Sequence, residues 1–123
     1  MKDIVVTNNK TIEKHDVEII TVDGEFRDVL VRARDLIHAG HKLLVSPLPA
    51  SIRMFYSPVR SVVISQKTGE MDLESVSMIE NAINLYDKSM GVRNVDYANQ
   101  KDYEVLDKEL LQSALAELRA AEL

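Results

Sequence analysis

Cysteine and tryptophan are missing from this chain of 123 residues, which also has only four glycines and three prolines. Without cysteine there are no disulfides, no iron–sulfur clusters and no thiolate chemistry, a composition that suits a reducing interior. The glycines are too scattered for a phosphate-cradling loop, and no serine sits in a G-x-S-x-G elbow. No apolar run approaches the roughly 18 residues a membrane span needs. The opening "MKDIVVTNN" is too short and too polar for a signal peptide. Basic residues are also in deficit: 15 Lys and Arg face 20 Asp and Glu, for a net charge of -5. Nucleic acid is therefore not the expected partner, because phosphate contacts need clustered cations.

What remains is 46% hydrophobic and 28% charged, enough to bury the core of one domain over residues 1–123. No internal repeat or low-complexity segment interrupts it. A cytoplasmic protein is expected.

Hydrophobic periodicity divides the chain into elements. "DIVVTNN" reads as a strand stopped by Asn8-Asn9, and "TIEKHD" allows at most a turn or two of helix. Val17–Val22 reads as a second strand. From Phe26 the period changes: Phe26, Val29, Leu30, Ala33, Leu36 and Ile37 share one helical face, and Gly40 stands where a helix ends. "KLLVS" follows as a third strand, whose unbroken Leu43-Leu44-Val45 suggests cover on both faces. Arg60–Ser65 is a fourth, and Lys67-Thr68-Gly69 is expected to turn. Asp72 is placed to cap a helix with Leu73, Val76, Ile79, Ile83 and Tyr86 inward, and Gly91 follows its end. A last helix from about Asp102 carries Leu111, Ala114, Leu115 and Leu118 on one face.

Alternation of this kind predicts an α/β layered sandwich with three main helices. Right-handed crossovers favour a small, mostly parallel four-stranded sheet in the order 2-1-3-4. That order has a switch point between strands 1 and 3, where ligands bind in open α/β sheets. Two loops would meet there: Thr7-Asn8-Asn9, and Ser46 to Ser51 within "SPLPAS". Thr7, Asn8, Asn9, Ser46 and Ser51 offer amides and hydroxyls that orient a small polar ligand. Pro47 stiffens the loop, and Arg53 and Arg60 can pair with a carboxylate or phosphate. The plainer alternative is that these are ordinary loop residues.

Other chemistry has less support. His38 and His41 are separated by Gly40, and His15 lies on an unrelated loop, so the three or four convergent ligands of a zinc site are not expected. No metal or cofactor is assigned. Asp23, Asp72 and Glu74 can form an acid–base pair only if the fold joins them, and carboxylates beside helix starts more often act as caps. Met54, Met71 and Met78 read as gap-filling apolar residues.

Four blocks taken together, "VVTNN", "RDVLVRARDLIHAGHKLLVSPL", "SPVRSVVIS" and "DLESVSMIENAI", resemble the GrdX family. These small proteins are encoded beside components of the glycine, sarcosine and betaine reductases of amino-acid-fermenting anaerobes. The resemblance covers most of residues 4 to 85 and is strongest at the helix-to-strand join. In the family the loop after strand 3 commonly carries a histidine and a glycine, where this chain has Ser46 and Pro49-Ala50.

The resemblance implies an accessory or regulatory role in such a reductase system, with its components as partners. The thiol and selenoprotein chemistry of those enzymes has no counterpart on a chain without thiols. Sensing of a small carboxylate or phosphate metabolite in the crevice fits this role. Two alternatives stay open: a small enzyme using Asn8 and a serine in the same crevice, and a pure interaction module. The spare leucines Leu106 and Leu110 of the last helix, beside Leu111, Leu115 and Leu118, give a homodimer as one form of the latter.

Overall fold

Ile4, Val5 and Val6 form the middle of strand β1 (Asp3–Thr7), every residue of which is buried in the computed structural model. The structure describes residues 3–13, 17–49 and 51–121. On one side of β1 lies β2 (Glu18–Thr21), parallel to it, with Val5 opposite Ile19. On the other side lies β4 (Ser61–Thr68), antiparallel, with Val5 opposite Val63. The short β3 (His41–Leu43) pairs antiparallel with the outer side of β4.

The sheet is therefore mixed, in the order β2-β1-β4-β3. This corrects the expected order 2-1-3-4 and its mostly parallel character. The physical reason lies between β3 and β4. A parallel neighbour requires a crossover, usually an α-helix, and among its described residues this link holds only the 3-10 helix Ile52–Tyr56. The chain instead returns antiparallel and enters the sheet beside β1. Ser61, Val62, Val63 and Ile64 are all buried, as a strand covered on both faces requires. Lys67 and Thr68, expected in a turn, extend β4.

Side-chain alternation sends Ile4, Val6, Val62 and Ile64 to one face of the sheet and Val5 and Val63 to the other. Helices α1 (Phe26–His38) and α2 (Leu73–Met90) cover the first face. The stripe read from the sequence holds in α1, where Phe26, Val29, Leu30, Ala33 and Ile37 are buried. In α2 the inward line is Ile79, Ile83 and Tyr86, whereas Leu73, to one side of that line, is 72% exposed. Met71 and Met78 are also exposed, so neither fills a core gap. Three rings join the layer: Phe26 stacks on Tyr86 at 5.2 Å, and Phe55 of the 3-10 helix meets both edge-on at 5.7 and 5.4 Å.

The helix ends follow the sequence. The Asp72 carboxylate accepts the Ser75 N–H at 3.1 Å, capping α2. Gly40, just past α1, has φ of 112°, and a Cβ there would lie 2.4 Å from the Gly69 carbonyl oxygen. Only glycine fits that position. The second sheet face is covered by α3 (Gln100–Ala121), with Ile12 and Val17 packed beside it. The helix starts two residues before the expected Asp102 and buries Asp107 and Leu111. No helix among the described residues is long and apolar enough to cross a membrane.

Candidate functional site

Because β1 and β3 are each antiparallel to β4, which lies between them, they run in the same direction. The loops after them thus open at the same edge of the sheet. Between them stands the start of β4, Arg60-Ser61, which decides what each side chain can do.

Thr7, Asn8 and Asn9 are committed to internal bonds. The Asn9 N–H donates to Thr7 Oγ1 at 2.9 Å, and Thr7 Oγ1 lies 2.8 Å from Ser61 Oγ. Ser61 Oγ donates to Asp107 Oδ2 at 2.7 Å, so Thr7 is the donor to Ser61. Asp107 Oδ1 accepts the Ser61 N–H at 2.9 Å, and Oδ2 also accepts Asn9 Nδ2 at 3.0 Å. The second hydrogen of Asn9 Nδ2 reaches the Glu104 carbonyl at 2.9 Å. This chain of bonds fastens α3 to the edge of the sheet. Such series reinforce one another in a buried setting.

Asn8 has a bracing geometry of its own. Its Nδ2 donates to the carbonyls of Gly24 and Pro58 at 2.9 and 2.8 Å, and its Oδ1 accepts the Arg60 N–H at 2.8 Å. One amide therefore spans the ends of three segments.

Asp107 was not singled out from the sequence. A signal was present: it stands four residues before Leu111, on the apolar face of α3, where an unpaired carboxylate would be costly.

Arg60 is the unusual group at this edge. Its side chain is buried, lies 5.9 Å above the Phe26 ring, and donates from Nη2 to the Ser46 and Pro47 carbonyls, both at 3.3 Å. Its Nε has no hydrogen-bond partner among the described residues. Burial pulls its pKa below the usual arginine value, and the charge of Asp107 opposes that pull. Arg60 thus clamps the loop after β3 onto the first core layer while carrying a cation that is incompletely satisfied. Pro47 is buried beneath this clamp. The hydroxyls of Ser46 and Ser51 accept the N–H groups of Leu48 and Arg53, each at 3.3 Å, the second as an N-cap of the 3-10 helix.

The residues expected in one pocket therefore divide. Asn8, Arg60, Ser46 and Pro47 meet through hydrogen bonds, and Thr7 and Asn9 meet through Ser61 and Asp107. The crevice beside Asn8 has a volume of about 200 Å³ and is lined by Lys10, Asp23, Glu25, Pro58, Tyr97 and Glu104 among others, with no residue from Ser46 to Ser51. Its acids outnumber its one lysine. Arg53 lines a different cleft with Tyr56, Arg93, Asp96 and Tyr103.

The remaining candidates are also placed. His41 Nδ1 lies 2.7 Å from the Ser65 carbonyl, and His38 Nε2 is 3.7 Å from Glu80. Among the described residues no group of three metal-ligating side chains converges, and His15 falls outside those residues. Asp23 follows β2 at the edge just described. Asp72 and Glu74 follow β4, which runs the other way, so the fold holds them at the opposite edge.

A family model described as GrdX-like protein matches residues 4–116. The match reaches well into α3, beyond the segment whose resemblance was legible by eye. No curated protein and no solved structure matches the chain. The sequence blocks around α1, β3 and β4 and this match agree: the chain belongs to the GrdX-like family.

Proposed function

We propose that this chain is an accessory or regulatory protein of a glycine, sarcosine or betaine reductase system, working by binding. The observation that carries the reading is family membership across residues 4–116. The absence of cysteine fits it, because the chain has no thiol with which to share the reductase chemistry. The reading places the protein in the cytoplasm beside the enzyme components it serves.

A small carboxylate or phosphate metabolite at the β1–β4 edge is part of the proposal. Arg60 supports it: a buried cation with an unpartnered Nε and two long carbonyl contacts gains from an anion. The small-enzyme alternative has weaker support, since Asn8 spends its amide on the Gly24 and Pro58 carbonyls and the Arg60 N–H, and Thr7 and Ser61 spend their hydroxyls on one another and on Asp107 of α3.

Two measurements test the proposal. Reciprocal affinity capture of this chain and of the reductase components should retain each on the other. Complete loss of both captures, with unchanged reductase turnover when the chain is added, overturns the accessory role. Thermal shift with glycine, sarcosine, betaine, acetyl phosphate and nucleotides tests the ligand. A ligand that binds only the folded state stabilises by about 2.7 kcal/mol at a hundredfold excess over Kd. A flat response to every compound removes the metabolite.

A further inference from the structure

The cleft that holds Arg53 gathers two arginines, two tyrosines and a carboxylate. Arg53 and Tyr56 come from the 3-10 helix, Arg93 and Asp96 from the segment after α2, and Tyr103 from α3. These elements are distant in sequence but fastened together. The Asp96 N–H donates to the Tyr56 carbonyl at 2.8 Å, and the Tyr103 hydroxyl donates to Asp96 Oδ2 at 3.3 Å. Asn99 Nδ2 donates to the same Oδ2 at 2.8 Å. Phe55, between Met54 and Tyr56, is locked into the aromatic cluster. The cleft is broad and more open than enclosed, with a volume of about 730 Å³. That lies within the roughly 300–1,000 Å³ of small-molecule sites.

Its charged groups keep bonding capacity to spare. The Arg53 guanidinium forms no ion pair with any described residue. Arg93 uses one nitrogen on the Ser89 carbonyl at 2.9 Å and pairs with no carboxylate among those residues. Both donors on Asp96 go to Oδ2, which leaves Oδ1 without a hydrogen bond among them. The cleft therefore presents two guanidinium forks, one carboxylate oxygen and two phenol rings. A simple anion would be drawn by the arginines and repelled by Asp96. A simple cation would meet the reverse. Only a ligand with both signs matches the whole set.

We propose that this cleft binds a small zwitterion, with its carboxylate held by Arg53 and Arg93 and its cationic amine by Asp96 and the rings of Tyr56 and Tyr103. Guanidinium forks bind carboxylates in a bidentate manner, and phenol faces attract ammonium groups. This site is separate from the Arg60 edge and needs no reductase partner, so it and the accessory role fail or succeed independently.

The test is an NMR titration of the isotope-labelled full chain with γ-aminobutyrate, carnitine, acetate, tetramethylammonium and inorganic phosphate at constant ionic strength. Either zwitterion should give saturable shifts at Arg53, Arg93 and Tyr103. Acetate and tetramethylammonium, each offering half of the ligand, should bind at least about tenfold more weakly. Arg53→Gln, at an exposed position, should leave the remaining spectrum unchanged and weaken zwitterion binding by a similar factor. Equal, non-saturating shifts for all five compounds overturn the site. So does zwitterion binding that survives Arg53→Gln. Phosphate binding more tightly than both zwitterions makes the cleft a plain anion site and overturns the assignment of Asp96 to an amine.

Discussion

Ser61 and Asp107 meet through two hydrogen bonds, the backbone N–H of Ser61 to Oδ1 at 2.9 Å and its hydroxyl to Oδ2 at 2.7 Å. The first residue of β4 and the middle of α3 are thereby joined across 46 positions. Much of the hold of α3 on the sheet runs through this contact, since only Asp107 and Leu111 of the helix are buried.

Replacing Asp107 with alanine should therefore loosen α3 as a unit. The Ser61 N–H and the Asn9 amide would lose their acceptor, at a cost of roughly 2–4 kcal/mol. Urea unfolding measures the loss, and hydrogen exchange should accelerate through α3 more than through α1. Uniform acceleration across both helices would mean that α3 is not a separate unit.

Leu111 and Leu110 should respond differently to a charge. Leu111 is buried against Val5 and Val63, so Leu111→Glu should destabilise the fold. Leu110 is 43% exposed, and Leu110→Glu should leave stability within about 0.5 kcal/mol. If the outer leucines hold a homodimer, sedimentation will show a dimer for the parent chain and a monomer for Leu110→Glu. Monomers in both cases dispose of the dimer.

At Gly40 an alanine must place its Cβ against the Gly69 carbonyl oxygen while holding a φ of 112°. Strain of this kind costs of order 1–3 kcal/mol. Gly69→Ala is the control, because nothing lies within 4 Å of a Cβ there. A chemical-denaturation midpoint for Gly40→Ala equal to that of the control would refute the argument.

Asp72 gives the chain an acid-sensitive helix start. Its hydrogen bonds from Ser75, chiefly the one from the hydroxyl, hold its pKa below the ordinary 3.8. The cap is therefore fully stabilising above 3.8 and fades as the pH falls through the lower folded value. The stability gap between the parent and Asp72→Asn should be constant at neutral pH and narrow only on the acid side. A gap that instead changes between neutral and alkaline pH would point to another group.

The helices were legible because their signals are local. The spacing of Phe26, Val29, Leu30, Ala33 and Ile37, the cap at Asp72 and the stop at Gly40 are written within a few residues of each other. Strand order is not local in this way. "SVVI" did carry a clue, because a strand buried on both faces belongs at the centre of a sheet. The short, proline-containing link before it, with no long apolar helical stripe, carried another, against a parallel neighbour. The site residues were harder still. Asn, Ser and Thr side chains look alike in sequence whether they face a ligand or brace a loop, and here Asn8, Thr7 and Asn9 brace. The cleft at Arg53, Arg93 and Tyr103 depends on three segments meeting, which no spacing in the chain announces.

The central place of β4 also sets the order in which a growing chain can acquire structure. A nascent polypeptide that has released β1, β2, α1 and β3 holds one parallel pair and a strand with no neighbour. The apolar stripe of α1 then lacks most of the surface it will cover. Closure waits for Ser61–Thr68, which must reach back to Asp3–Thr7 through pairs such as Thr7 with Ser61, 54 positions apart. Long-range pairing of this kind is slow relative to local helix formation. At about 5–20 residues per second, synthesis leaves the open half-sheet exposed for seconds. The apolar surface most open to wrong contacts is thus presented in the interval before the fourth strand arrives.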